Sequence, residues 1–376
     1  MPSSEHQPAS RALRRYIAVL IALTVFLIWW GAATTTENAG MIFPDWPLSL
    51  GTVNPEGWLK DLAPFLEHTH RITATIVGCV TLGLFCWVYA RTRSRVIETI
   101  LLVVMLAVLF ELFRRGGGER VSIERKTTYF RLGAIAAFVP VWWLIQAWLR
   151  RNWTLLQKFS AFALLMVTAQ AILGGMRVTE ISDKIAVIHG CLAQAFFCTL
   201  ILLAMIASPR WEKRAVLPDA VRYGIRNLSG LLVIAIFWQL ILGALMRHFS
   251  RFKLADDGIL KTKGEWIPPF DDSIIVALFF HKVTALIILV LAIGFFVWLW
   301  RKRNVALAGF PRSQAMIAGL VVAQLLLGVL VIATGKSFWI TNFHVLNGLA
   351  ILAIAFAQWV RALRSNSEVL IASKSS

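Results

Sequence analysis

Ten apolar runs almost free of charge limit what this chain can become: 16–33, 71–90, 96–113, 132–149, 155–175, 185–207, 228–246, 273–300, 314–334 and 343–363. Each residue of a helix adds about 1.5 Å, so about 20 residues cross a hydrocarbon core of roughly 30 Å. No water is present there to satisfy the backbone, and each run must close its hydrogen bonds within itself as a helix. An all-α polytopic membrane protein follows, and a water-soluble globule is excluded. A mean hydropathy of +0.70 and a charged fraction of 15% agree. The first run follows Arg11, Arg14 and Arg15 without a small-residue cleavage site, and reads as a retained span.

The net charge of +18 could point to nucleic acid, but the cations stand in short clusters between apolar runs, as expected beside an anionic leaflet. Nucleic-acid binding is set aside on that pattern. Arg11/Arg14/Arg15, Arg91/Arg93/Arg95, Arg150/Arg151, Arg210/Lys213/Arg214, Arg301/Lys302/Arg303 and Arg361/Arg364 fall on one side if the first span leaves the cytoplasm, which puts both termini inside. The segment 114–131 breaks the rule, with six cations on the outer side. Cys79, Cys86, Cys191 and Cys198 all lie within apolar runs, so neither a secreted disulfide framework nor a cysteine zinc cluster is expected.

Internal similarity is more informative than hydropathy. The pattern Q-x-x-L-G ends three spans, at Gln170 to Gly174, Gln239 to Gly243 and Gln324 to Gly328, and the first span has Leu27 to Gly31 at the matching place. Residues four apart share a helical face. Each of these spans precedes one with a histidine near its outer start: His70, His189, His281 and His344. Gly31 to His70 is 39 residues against 38 for Gly243 to His281, and Gln170 to His189 is 19 against 20 for Gln324 to His344. His70 to Gln170, however, is 57 residues longer than His281 to Gln324. The expected fold is two pseudo-symmetric four-helix transmembrane bundles plus an inserted helical hairpin at about 96–149. Lying outside the repeat, the hairpin is expected to be removable without disturbing the histidines.

Ionisable residues inside membrane helices are costly and tend to be functional. Zinc or copper would recruit further Cys, His or carboxylate ligands, whereas two imidazoles from facing helices are enough to clamp a haem iron. Gly78, Gly190 and Gly348 would leave room for a flat macrocycle. Arg71, Arg177, Arg247 and Lys282 are candidates for its carboxylates or, alternatively, ordinary interfacial cations. One asymmetry separates the halves: Glu67 stands one turn before His70, while the second half has Leu278 there. A carboxylate caught between a helix dipole and an apolar pocket suits proton transfer. His68 lies on another face and reads as a surface residue, and His6 and His248 have no repeat counterparts.

The segment Thr34 to Pro47 with its Pro-Asp-Trp-Pro end, the Glu67-x-x-His70-Arg71 start, the Q-x-x-L-G spans and the four histidines together resemble the haem A synthase family, over nearly the whole chain except 91–152. The resemblance implies that His70 and His189 hold the substrate haem O, that His281 and His344 hold a haem b cofactor, and that Glu67 is catalytic in oxidising a porphyrin methyl to formyl. It divides the chain into a cytoplasmic tail (1–15), a substrate-haem repeat (16–209), a cofactor-haem repeat (210–364) and a second tail (365–376). It further implies haem O supplied by a membrane haem O synthase, an electron donor or acceptor that the sequence does not specify, and a place in terminal oxidase assembly. The setting is the cytoplasmic membrane with haem sites near the outer face, and a homo-oligomer is compatible with it. Lys282 departs from the arginine common in the family, and the outer loop lacks the cysteine pair of some members. A diheme b-type electron carrier is the alternative. It would want haems on both sides of the membrane, whereas all four histidines lie at one side. A transporter would carry broken helices at the midplane.

Overall fold

In the computed structural model each apolar run lies in a helix long and apolar enough to cross a membrane. The structure describes residues 9–117, 121–150, 152–249, 258–302 and 307–367. His6, Arg120, Arg151, Arg303 and the outermost parts of both tails lie outside them. The helices are α1 (Arg11–Thr36), α2 (Leu62–Tyr89), α3 (Arg93–Gly116), α4 (Ile123–Leu149), α5 (Leu155–Glu180), α6 (Asp183–Ala207), α7 (Asp219–Phe249), α8 (Ser273–Arg301), α9 (Phe310–Ala333) and α10 (Phe338–Leu363). Polar caps set several starts: Ser10 Oγ accepts from the Leu13 amide at 3.2 Å, and Thr154 and Gln157 cap each other's backbone in a capping box. Hydropathy placed the starts of α2, α7 and α10 several residues late. Helical hydrogen bonding continues past the hydrocarbon edge, where polar side chains remain on a helix that an apolar window no longer counts.

The chain divides into two compact units, one from Ser10 to Ala207 and one beginning at Ser208. In the first, α1 packs on α2 and α6, and α5 packs on the same two helices, which closes a ring in the order α1, α2, α5, α6. The second repeats the ring as α7, α8, α9, α10. The histidine-bearing helices, α2 with α6 and α8 with α10, therefore stand on the diagonals, as do the helices carrying the terminal glycines. Diagonal pairs of a four-helix bundle point side chains at each other across its interior.

The hairpin α3–α4 is not a detachable appendage. Its helices pack on each other and against α2 and α5. Leu102, Leu106 and Ala147 share a core with Phe85, Tyr89, Trp153, Ala161 and Leu164, and the Tyr89 hydroxyl donates to Glu98. Removing it would uncover fully buried side chains such as Phe85 and Ala161. In the second unit, Leu217, Val221, Ile225, Phe295, Leu299 and Phe310 form a core at the end opposite the histidines. Two short parallel strands, β1 (Val216–Leu217) and β2 (Asn366–Ser367), tie the segment before α7 to the end of α10. The Arg364 guanidinium lies 3.4 Å from the centre of the Trp211 ring.

Candidate functional site

Each of the four repeat histidines is seated against the glycine that ends the preceding core helix. A Cβ built on Gly31 would come 2.8 Å from His70 Cε1, and one on Gly174, Gly243 or Gly328 would come 3.2, 3.3 or 3.4 Å from Cε1 of His189, His281 or His344. The glycine lets an imidazole edge lie directly on neighbouring backbone. Gln170, Gln239 and Gln324 complete the arrangement, donating Nε2 to the carbonyls of His189, His281 and His344 at 3.1, 3.0 and 3.0 Å. The same three rings lie near the backbone of Gln170, Gln239 and Gln324. Their Nδ1 atoms are buried, without the geometry of a full hydrogen bond. His70 lacks this partner because Leu27 replaces the glutamine. There Trp30 Nε1 and Thr34 Oγ1 tie α1 to the Leu66 carbonyl instead, at 3.0 and 3.3 Å.

The rings pair within each unit, His70 within electrostatic reach of His189 and His281 of His344. Each histidine keeps part of its surface open while its Nδ1 is buried. A Cβ on Gly78 or Gly190 would meet no atom within 4 Å, as a cradle beside a ring requires, whereas Gly348 makes room for the Gln324 amide. No group of three or more His, Cys, Asp or Glu side chains occurs together among the described residues. A bare metal ion would be under-coordinated at either pair. A metal already held by a macrocycle would need only the two imidazoles that each pair supplies. The residues present fit a haem at each pair.

Around the first pair, α2 fastens the 37–61 loop. Glu67, only 3% exposed, accepts at Oε1 from Arg71 at 2.6 Å and at Oε2 from the amides of Ile42 and Phe43 at 2.6 and 3.2 Å. Arg71 donates further to the carbonyls of Phe43, Asp45 and Leu48 at 3.0, 2.6 and 2.5 Å. His68, expected at the surface, is buried. It shares a 3.0 Å hydrogen bond with Ser49 Oγ and another with the Val53 carbonyl, because the loop folds back over that face of α2. Trp46 lies against Gly175 and packs at a tilt of 46° on Phe110 of α3 with ring centres 4.5 Å apart, which brings the hairpin against the loop beside the first pair.

Two of the four cations considered for haem carboxylates are committed elsewhere. Arg71 is the loop clamp just described, and Lys282, at its repeat position, donates to the carbonyls of Gly258 and Lys261 at 2.8 Å each. Arg177 reaches electrostatically to both His70 and His189, and its buried Nε makes no hydrogen bond. Arg247 reaches His344, and beside it Lys336 is held below the usual lysine range by burial and then by the Arg247 charge. Lys336 was not singled out in the sequence; its only signal was a cation directly before α10.

The sequence as a whole is similar to known proteins. The sequence pattern of the family described as cytochrome oxidase assembly protein matches residues 1–114 and 131–356, omitting the end of α3, the turn and the start of α4. The chain is 22% identical to the heme A synthase of Beijerinckia indica subsp. indica over 392 aligned residues, covering 93% of each protein. It is 23% identical to that of Halalkalibacterium halodurans, covering 87% of this chain and 88% of the relative, and 25% identical to that of Symbiobacterium thermophilum, covering 85% of each. With the pattern running through all ten spans and all four histidines, the chain belongs to the cytochrome oxidase assembly protein family.

Proposed function

We propose that the chain is a haem A synthase, a multi-pass membrane oxidoreductase that converts a methyl substituent of haem O to the formyl group of haem A for terminal oxidase assembly. The observation that carries the assignment of the two sites is the asymmetry of their support. Both histidines of the second unit have a glutamine clamp on their backbone, which suits a resident group, and His281 and His344 hold haem b. In the first unit His189 has that support and His70 does not, which suits an exchangeable one, and His70 and His189 hold haem O. Bound there, haem b supplies one-electron transfer. Glu67, on the His70 face one turn earlier, is the catalytic carboxylate. Arg71 and the Ile42 and Phe43 amides hold its carboxylate in a fixed position. Arg177, whose buried Nε has no hydrogen-bond partner, binds an anionic edge of the substrate, since a guanidinium in a buried setting favours a carboxylate. The loop over α2 excludes water from the pair. Both termini lie in the cytoplasm with the histidine ends outward, and haem O arrives from a membrane haem O synthase.

The test is chromatographic identification of haem extracted from the purified full chain, with His70→Ala and His281→Ala beside the wild type. Haem O or haem A lost selectively from His70→Ala, and haem b lost selectively from His281→Ala, supports the reading. Haem b alone in both sites of the wild type would establish the electron carrier instead.

A further inference from the structure

The outer end of the hairpin carries a feature that the haem chemistry does not use. Between α3 and α4 runs a cavity of about 420 Å³ lined by Val104, Ala107, Val108, Glu111, Leu112, Arg115 and Tyr129. A second, of about 520 Å³, is lined by Arg115, Val121, Ser122, Arg125 and Tyr129. Sharing Arg115 and Tyr129, they are two halves of one groove. The lower half is apolar and lies within spanning helices whose Val104 and Val108 side chains are exposed. The upper half is cationic and lies at the turn, beside the end of α5, where Lys126 pairs with Glu180 at 2.9 Å.

Among the described residues one positive charge of the upper half is left over, since Arg114, Arg115 and Arg125 stand against Glu111 and Glu124 while Lys126 is paired with Glu180. Glu111 is bound by both Arg114 and Arg115, at 2.6 and 2.7 Å, so two guanidinium groups share one carboxylate. Arg125 is exposed. The α4 N-terminus adds to it: Ser122 Oγ caps the Arg125 amide at 3.4 Å, and the preceding amides of the first turn carry the positive end of the helix dipole. Ile123, 84% exposed at the rim, presents an apolar side chain where a soluble protein would have a polar one. We propose that this groove binds one anionic phospholipid, with its phosphate at Arg125 and Arg115 and an acyl chain along Val104, Ala107, Val108 and Leu112. A soluble phosphate would leave the apolar half unused, and a zwitterionic lipid would bring a second cation into the arginine cluster. Two of the cations that break the charge rule at 114–131, Arg115 and Arg125, then serve a ligand rather than orientation. The inference is independent of what the histidines hold.

The test is native mass spectrometry of the detergent-purified full chain, haem included, after incubation with equimolar phosphatidylglycerol and phosphatidylcholine. One phosphatidylglycerol is expected to persist under activation that strips phosphatidylcholine. Arg125→Gln should lower that preference roughly fivefold, the effect of about one surface charge. Ala107→Trp, which fills the apolar half, should abolish lipid retention at unchanged haem absorbance. Equal retention of the two lipids by the wild type would overturn the proposal. So would a preference that survives Arg125→Gln, or displacement of the lipid by inorganic phosphate, which would mark a plain ion site. Should Ala107→Trp not fold, the wild-type preference and Arg125→Gln still decide.

Discussion

Adding one methyl group to each of the four terminal glycines grades the contact between helix and imidazole. Carbon atoms pack at about 3.5–4.0 Å. A Cβ on Gly31 at 2.8 Å from His70 Cε1 forces the ring or the α1 backbone to move by roughly 0.7 Å, whereas one on Gly328 at 3.4 Å from His344 Cε1 is nearly an ordinary contact. Overpacking of this kind typically costs about 1–3 kcal/mol, against about 0.5–1 kcal/mol gained by replacing a mid-helix glycine with alanine. Gly31→Ala should therefore be net destabilising at the first pair, and Gly328→Ala near neutral or slightly stabilising at the second. The assay is haem content per protein together with the low-spin electron paramagnetic resonance signal, which reports the orientation of axial imidazoles. Gly31→Ala is expected to lose or broaden the first-site signal and leave the second unchanged, while Gly328→Ala keeps both. The seating argument fails if Gly31→Ala binds haem with wild-type content and line shape, or if Gly328→Ala is the more damaging of the two.

Glu67→Gln should retain haem but lower haem A formation by about 10²–10⁴-fold, the usual contribution of a positioned acid or base, with haem O or a partly oxidised product accumulating. Wild-type product ratios at equal protein level would reduce Glu67 to an anchor of the loop. Phe110→Ala removes the ring against which Trp46 packs and should speed amide hydrogen exchange over 42–53 and weaken haem retention at the His70 pair, leaving the His281 pair intact; unchanged exchange would show that the hairpin plays no part in holding the loop.

The sequence by itself determined the number of spans, because a helix in hydrocarbon must be long and nearly uncharged, and it determined the duplication, because the spacings of four histidines and four glycines agree within a residue. The glutamine and glycine of Q-x-x-L-G could be placed on one face. Their purpose could not be read there, because the carbonyl that the glutamine binds and the ring that the glycine seats belong to the next core helix. His68 shows the limit from the other side. Its angle away from His70 was correctly read from helical periodicity, but periodicity says only that a face differs, and a loop folded back over it decides that the face is buried. Arg71 and Lys282 were legible as cations after a histidine, yet whether such a cation meets a ligand or a loop carbonyl depends on how the loop returns. The hairpin's excess length is visible in the spacing, while its contribution to the core comes from α2 and α5, distant in sequence. Local composition fixes what a segment can be in a bilayer; only the closing of each helix ring fixes which side chains meet across it.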